Sequence, residues 1–380
     1  MKFAFYFGHP AQFLFVKQTI ADLIDNGHEV LIQIKKKDVL EELLKSSSFE
    51  YTNIQPQERK NSKMAALSGL IKRNIKILPA LRKFQPDLLI SSDASYAQLG
   101  LVLRIPCVTI LEDDYKVIKK LALLSYPFTT TILCPEVCNV GRWGKKKVGY
   151  NGYMKLAYLH PSVFVPNKEV MKKYVLPEKY AIIRLAQLTA YHDEGMKGIS
   201  EGLLISIIDR LKKKGITPII SAEGKIGERY APLLLNIDAS DMHSVLAHAK
   251  LLICDSQSMS VEASMLGIPS LRYSSFSGRI SVLEELEHHF GLTFGFPVSK
   301  SAALLSQLET VLEMDDFEAV FQQRRQNMLS EKINVSDFLF WFFTNYPESV
   351  GEMKESEDYQ LNFQSSFRMK ATVNKSAYIG

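Results

Sequence analysis

Short apolar runs alternate with longer amphipathic segments along this 380-residue chain, and the alternation breaks once and restarts. Residues 2–7 read KFAFYF, an almost unbroken apolar strand. Residues 13–26 then carry apolar side chains at helical spacing and stop at Gly27. Further strands are predicted at 29–34, 88–91, 106–111 and 130–133, with helices at 38–45, 63–84 (interrupted by Pro79) and 94–103. HPSVFVPNKEV, containing Pro161 and Pro166, reads as a linker. Beyond it, strands at 180–185, 217–221, 251–254 and 269–272 alternate with helices at 198–214, 241–249 and 260–266, and helices fill 280–290 and most of 301–329. Strands separated by helices pair in parallel through right-handed crossovers. The expected fold class is therefore α/β, with two doubly wound Rossmann-like domains facing each other across a cleft. The first covers 1–162. The second covers 163–347 and includes the aromatic segment VSDFLFWFFTNYP; a polar tail, expected to be partly disordered, covers 348–380.

A hydrophobic content of 46% with 23% charged residues is that of a soluble globular protein. The formal charge of +5 fits a basic patch or an anionic ligand and is too slight to argue for nucleic acid. The N-terminal apolar run ends at Gly8-His9-Pro10 without a cleavage-site pattern, and the run 121–133 is broken by Ser, Pro and Thr, so neither reads as a signal peptide or a membrane span. Cys107 and Cys254 fall in predicted strands, and Cys134-x-x-x-Cys138 has no second His or Cys pair beside it. No metal is expected there, and the cysteine usage suits a reducing cytoplasm.

Ligands of doubly wound sheets sit beyond the carboxyl ends of the strands, and three stretches follow such ends. His9 lies at the turn after the first strand, where it can serve as ligand or acid/base group or simply cap the next helix. Asp93 and Glu112 follow neighbouring strands; converging carboxylates suit acid/base chemistry, whereas Asp93, Asp113 and Asp114 equally suit helix capping. The third stretch is CDSQSMSVEASMLGIPSLRY, residues 254–273. With a helix beginning at Ser260, the amides from Gln257 to Ser260 would be unpaired, and together with Ser256 they would suit a phosphate or diphosphate. Arg184 and Arg272 are the arginines that could pair with it. Glu262, expected in the first turn of that helix, either complements its dipole or accepts from sugar hydroxyls.

DMHSVLAHAKLLICDSQSMSVEASMLGIPSLRY resembles the donor-nucleotide segment of the GT-B superfamily, and the chain is most similar to a bacterial and archaeal family of predicted glycosyltransferases that begins with a like GHPA strand end. The resemblance runs in order through both halves to about Pro347. It implies a nucleotide diphosphate sugar in the second domain, with its diphosphate on the amides around Ser258 and Met259 and its ribose on Glu262; phosphate contacts by His9 and Arg184 are implied more weakly. The chain is also similar to the non-hydrolysing UDP-N-acetylglucosamine 2-epimerases, whose catalytic Asp, Glu and His align with Asp93, Glu112 and His192. It departs from them where their paired glycines are replaced by Gln257-Ser258-Met259-Ser260, in the run around His192, and in the first turn, where Gly8-His9-Pro10 replaces an arginine-bearing turn.

Three functions follow as expectations. The first is a glycosyltransferase moving a sugar from a nucleotide diphosphate sugar to a glycan or lipid-linked acceptor in surface polysaccharide or glycoconjugate synthesis, with His9, Asp93 or Glu112 deprotonating the acceptor. The second is a sugar-nucleotide epimerase using Asp93, Glu112 and His192, and the third a non-catalytic nucleotide-binding module. The nucleotide sugar is a substrate in each enzyme, and no cofactor is expected. The basic segments LIKRNIKILPALRKF and RWGKKKVGY read as solvated faces, as an acceptor grip, or as peripheral contacts with the inner face of a membrane.

Overall fold

The computed structural model describes residues 1–35, 39–55, 63–185, 198–224 and 226–364. They form two units, Met1–Val163 with the segment from Ser330 onward, and Phe164–Leu329.

The first unit runs β1 (Lys2–Phe7), α1 (Pro10–Asp25), β2 (Glu29–Lys35), α2 (Leu40–Ser46), β3 (Thr52–Gln55), α3 (Lys63–Phe84), β4 (Leu88–Ser91), α4 (Ala94–Leu103), β5 (Cys107–Ile110), α5 (Lys119–Ser125), β6 (Thr131–Pro135), β7 (Lys147–Tyr150) and the short α6 (Leu156–Leu159). The strands form one seven-stranded sheet in the order β3-β2-β1-β4-β5-β6-β7, and every pairing is parallel. LLIS in β4 and CVTI in β5 are buried throughout, because helices cover both sheet faces and leave no solvent side for alternation. The order reverses between β1 and β4. Right-handed crossovers then put α1 and α2 on one face and α3, α4 and α5 on the other, and α4 packs between α3 and α5. Local signals set the helix ends. Pro10 opens α1 behind the cap His9, Asp93 caps α4, and Gly27 follows α1 in the left-handed region.

The second unit runs α7 (Glu169–Lys173), β8 (Tyr180–Leu185), α8 (Glu201–Lys213), β9 (Thr217–Ala222), α9 (Met242–Ala247), β10 (Leu251–Cys254), α10 (Gln257–Leu266), β11 (Ser270–Tyr273), α11 (Ser281–His288), β12 (Thr293–Phe296), α12 (Ser301–Glu313) and α13 (Phe317–Glu331). Its five parallel strands are ordered β12-β11-β10-β8-β9, and the order reverses between β8 and β10. Ser200 caps α8, with Glu201 in its first turn and Arg210, Lys212 and Lys213 in its last, a charge order that complements the helix dipole.

The C-terminal segment departs from expectation. α14 (Val335–Thr344) and α15 (Glu348–Glu355) belong to the first unit, not the second. α14 packs on α1 and α6. Phe343 meets Phe5 at 6.3 Å and Phe338 meets Tyr150 at 5.8 Å between ring centroids. Val335, Phe338, Leu339, Phe342 and Phe343 are buried there, each stabilising by roughly 1.5–3 kcal/mol. Aromatic content signals a docked helix; it does not say which core receives it. Nor is the tail shapeless as far as Gln364: a 3₁₀ turn at Glu357–Phe363 stacks Tyr359 on Trp341 at 4.7 Å. Residues 365–380 lie outside the described residues.

Candidate nucleotide-binding site

The turn after β10, where the sequence predicts an anion site, lies at the switch point of the second sheet. Cys254 is in register with Arg184 on β8, and the Asp255 amide donates to the Arg184 carbonyl at 3.3 Å. Ser256 is extended (φ −94, ψ 125) and its hydroxyl caps the helix by accepting from the Met259 amide at 3.4 Å. The helix therefore begins at Gln257, three residues earlier than expected. Ser and Asn types before an apolar helix make better caps than loop residues, and Ser256 takes that role before Ser260 can. The consequence is a smaller set of open donors. Met259 is capped and buried, and the Ser260 amide donates to the Ser256 carbonyl within the helix at 3.4 Å. Among the described residues, the N–H groups of Gln257 and Ser258 have no partner. Asp255 through Ser258 are half-buried, so the turn is open at its tip.

Ser260 is corrected further. Its hydroxyl lies in a buried cluster with Ser270 at 2.9 Å and Thr293 at 2.8 Å, tying α10 to β11 and β12. Glu262 lies in the second turn of α10 because the helix starts early. It is buried, with the His243 ring of α9 at 3.5 Å.

Arg272 on β11 is the most unusual group of the unit. Its side chain is 0% exposed, and Nη1 donates to Gln257 Oε1 at 2.7 Å. Gln257 in turn donates to the Ser274 hydroxyl at 2.6 Å. Nε and Nη2 of Arg272 are buried and have no hydrogen-bond partner. Burial disfavours the guanidinium charge, and Cys254 and the Glu287 and Glu284 carboxylates offset this in part. A buried cation with two idle donors, bonded to the side chain of Gln257 at the start of α10, is electrostatically prepared for an anion. Direct ion pairing with a ligand at the surface, as first expected of Arg272, is not the observed geometry. Arg184 also differs from expectation: it turns toward β9, bonding Ser221 at 2.7 Å and Glu223 at 2.5 Å, while its Nε is buried without a partner.

In the first unit, His9, Asp93 and Glu112 follow β1, β4 and β5, three consecutive strands of the sheet, so all three lie along its carboxyl edge. Their surroundings differ. His9 is exposed and its Nδ1 accepts from the Ala11 amide at 3.2 Å, which leaves the proton of the neutral ring on Nε2. Asp93 caps α4 through the Ser95 amide at 2.9 Å and pairs with Arg73 at 3.4 Å. Both oxygens of the buried Glu112 are engaged, Oε1 by the Met154 amide at 2.8 Å and Oε2 by Lys155 at 2.5 Å. Asp114 accepts from the Asn139 amide at 2.7 Å. Asp113 stands apart: it is half-buried, and burial and then the neighbouring Glu112 raise its pKa, with Lys155 opposing and Asp114 adding to the rise. Lys155 gives no signal in the sequence beyond being a lysine inside the otherwise buried run YMKLAYL. His192 lies outside the described residues. All four cysteines are free and buried, and burial pushes the Cys134 thiol up to about 12.

A family model described as a protein of unknown function, DUF354, matches residues 9–282. The chain belongs to the DUF354 family. A search of curated proteins gave no match. Among solved structures, this DUF354 chain is similar to the UDP-GlcNAc 2-epimerase of Neisseria meningitidis bound to UDP-GlcNAc (TM-score 0.64, 15% identity, 90% of this chain and 100% of that one). It is similar to the UDP-N-acetylglucosamine 2-epimerase of Rickettsia bellii (TM-score 0.64, 14% identity, 93% and 98%). It is also similar to the spinosyn forosaminyltransferase SpnP (TM-score 0.59, 15% identity, 93% and 100%). These likenesses establish the fold: two Rossmann-like α/β units of the GT-B type, as the sequence resemblance implied. No helix among the described residues is long and apolar enough to cross a membrane.

Proposed function

We propose that this DUF354 protein is a glycosyltransferase whose donor is a nucleoside diphosphate sugar. The observation that carries the reading is the switch-point site of the second unit, where the open amides of Gln257 and Ser258 head α10 and the buried Arg272 guanidinium, with two idle donors, bonds the Gln257 side chain. The helix N-terminus and the guanidinium both favour negative charge, and that charge grows on the diphosphate as it leaves. The Ser258 hydroxyl adds a neutral donor, and Glu262 is the carboxylate for the ribose hydroxyls. In the transfer step the acceptor hydroxyl oxygen bonds to the anomeric carbon, the bond from that carbon to the diphosphate oxygen breaks, and the hydroxyl proton passes to a carboxylate. Asp113 suits that role better than Glu112 or Asp93, whose oxygens are already engaged, because a raised pKa strengthens a base. The acceptor class, a glycan or lipid-linked glycan of surface polysaccharide synthesis, rests on the sequence resemblance.

A sugar-nucleotide 2-epimerase is the second reading. It is favoured by the same raised Asp113 pKa, since proton abstraction at C2 also needs a carboxylate base, and by the fold shared with epimerases. One experiment separates the two. UDP release from UDP-sugars that depends on added acceptor supports transfer, whereas deuterium from solvent at C2 without acceptor supports epimerisation. Neither signal with any nucleotide sugar removes both.

A further inference from the structure

One helical face of the first unit's sheet carries a second feature. α3, α4 and α5 lie side by side on one face of the sheet. Every charged residue within these three helices is Lys or Arg. Six large apolar side chains are nevertheless turned outward on them: Ile71 and Ile75 on α3, Leu101 and Val102 on α4, and Leu123 and Leu124 on α5, between 41% and 67% exposed. A hydrogen-bonded line shows that they are neighbours. Asn74 donates to Gln98 at 2.9 Å, and Gln98 donates to the Leu124 carbonyl at 3.1 Å, so one polar stitch crosses all three helices. Ile75 is adjacent to one end of that stitch and Ile71 one turn before it. Leu101 and Val102 follow Gln98 by one turn, and Leu124 is its other end. α4 itself has no charged side chain on any face, although a surface helix ordinarily keeps a polar outer stripe.

We infer that this three-helix face docks on an anionic phospholipid bilayer. Charge complementarity selects the partner. Exposed Lys72, Lys119 and Lys120, with Arg104 just past α4, flank the apolar residues, and the helices carry no carboxylate to repel a lipid phosphate. Clusters of this kind lie at the headgroup level, with apolar side chains entering the acyl boundary and lysine stems reaching back to the phosphates. A polynucleotide would use the cations and leave the six apolar groups in water. The inference does not depend on which sugar-nucleotide reaction the protein performs.

Co-sedimentation of the full chain with vesicles tests it. The protein is expected to bind vesicles of equal parts phosphatidylglycerol and phosphatidylcholine, to ignore phosphatidylcholine alone, and to be released by salt. Each cation near an anionic surface contributes about fivefold, so Lys119→Gln with Lys120→Gln weakens binding on the order of 25-fold. Ile75→Ser with Leu101→Ser weakens it at least about tenfold without changing charge. These sites are exposed, so unchanged thermal melting reports intact folding in each variant. Ile75→Trp should show emission quenched by brominated acyl chains. No binding to phosphatidylglycerol vesicles overturns the inference. So does binding that survives Ile75→Ser with Leu101→Ser and is matched by duplex DNA, or a stable dimer in solution that those substitutions dissociate.

Discussion

Replacing Arg272 by methionine should have opposite effects on the unliganded protein and on its complex with UDP. Methionine is apolar, similar in length, and flexible enough to fill the space. In the unliganded protein the substitution removes two buried donors that lack partners, each costing roughly 1–3 kcal/mol. It also removes the bond from Nη1 to Gln257, worth about 1.5–3 kcal/mol as a hydrogen bond to a charged group. At mid-range about 4 kcal/mol is gained and about 2 kcal/mol lost, a difference of about 2 kcal/mol in favour of methionine, in line with other replacements of buried charges by apolar residues. At about 2–4 °C per kcal/mol for a domain of this size, the melting temperature without ligand should rise by about 4–8 °C. Binding of UDP should weaken by about tenfold, because the buried charge behind the start of α10 and the link that orients Gln257 are lost together. A fluorimetric melt with and without UDP reads both quantities, because a ligand that binds only the folded state raises the melting temperature by mass action. A variant that melts several degrees lower without ligand, or that keeps the full UDP shift, would show that the guanidinium is an ordinary structural group.

Other substitutions probe the same account. Any side chain at Gly295 would meet Arg272 Nη2 at 2.6 Å and Ser277 Oγ at 2.8 Å, so Gly295→Ala should destabilise by roughly 1–3 kcal/mol in chemical denaturation. Glu112→Ala should cost about 3–5 kcal/mol by stranding the buried Lys155, and Glu112→Leu with Lys155→Met should recover most of it; equal losses in both variants would contradict a stability role for the pair. Asp113 has a raised pKa, so the acid limb of kcat/KM should fall above the ordinary aspartate range, and Asp113→Asn should abolish the limb with a loss on the order of 10²–10⁴ in rate. The sign for stability is the reverse of a salt-bridged carboxylate. The folded state favours the protonated acid, so that contribution is present at low pH and lost as pH rises through the raised value, and Asp113→Asn should stabilise at neutral pH and not at low pH.

The fold was legible where burial leaves a periodic trace. β4, β5 and β10 are uninterrupted apolar runs covered on both faces, and α1 and α8 carry their caps in sequence. β3, β7 and β12 were missed. TNIQ, KVGY and TFGF are short, two of them contain glycine, and all three lie at sheet edges, where burial is partial and alternation weak. The docking of α14 on the first unit is a long-range contact that composition cannot reveal. At the candidate site, residue types predicted location well and roles less well. The switch-point turn was found from Ser256 and Gln257, yet one early cap moved the helix start and converted Ser260 from an anion donor into a buried strut. Glu112 was singled out for its strand-end position, but its partner Lys155 comes from 43 residues later in the chain, and only the folded sheet brings them together. The unsatisfied donors of Arg272 are likewise invisible in sequence, since they depend on what does not approach them.

Two substitutions at Gln257 isolate the main-chain donor itself. Gln257→Ala removes the side-chain link to Arg272 and keeps the amide, whereas Gln257→Pro removes both. Proline suits this first helical position, because the preceding Ser256 is already extended and the amide has no helical partner to lose. Isothermal titration with UDP should find Gln257→Pro weaker than Gln257→Ala by about tenfold or more, the loss of one N–H to a charged oxygen. Equal affinities in the two variants, with both folded, would mean that the start of α10 does not hold the diphosphate.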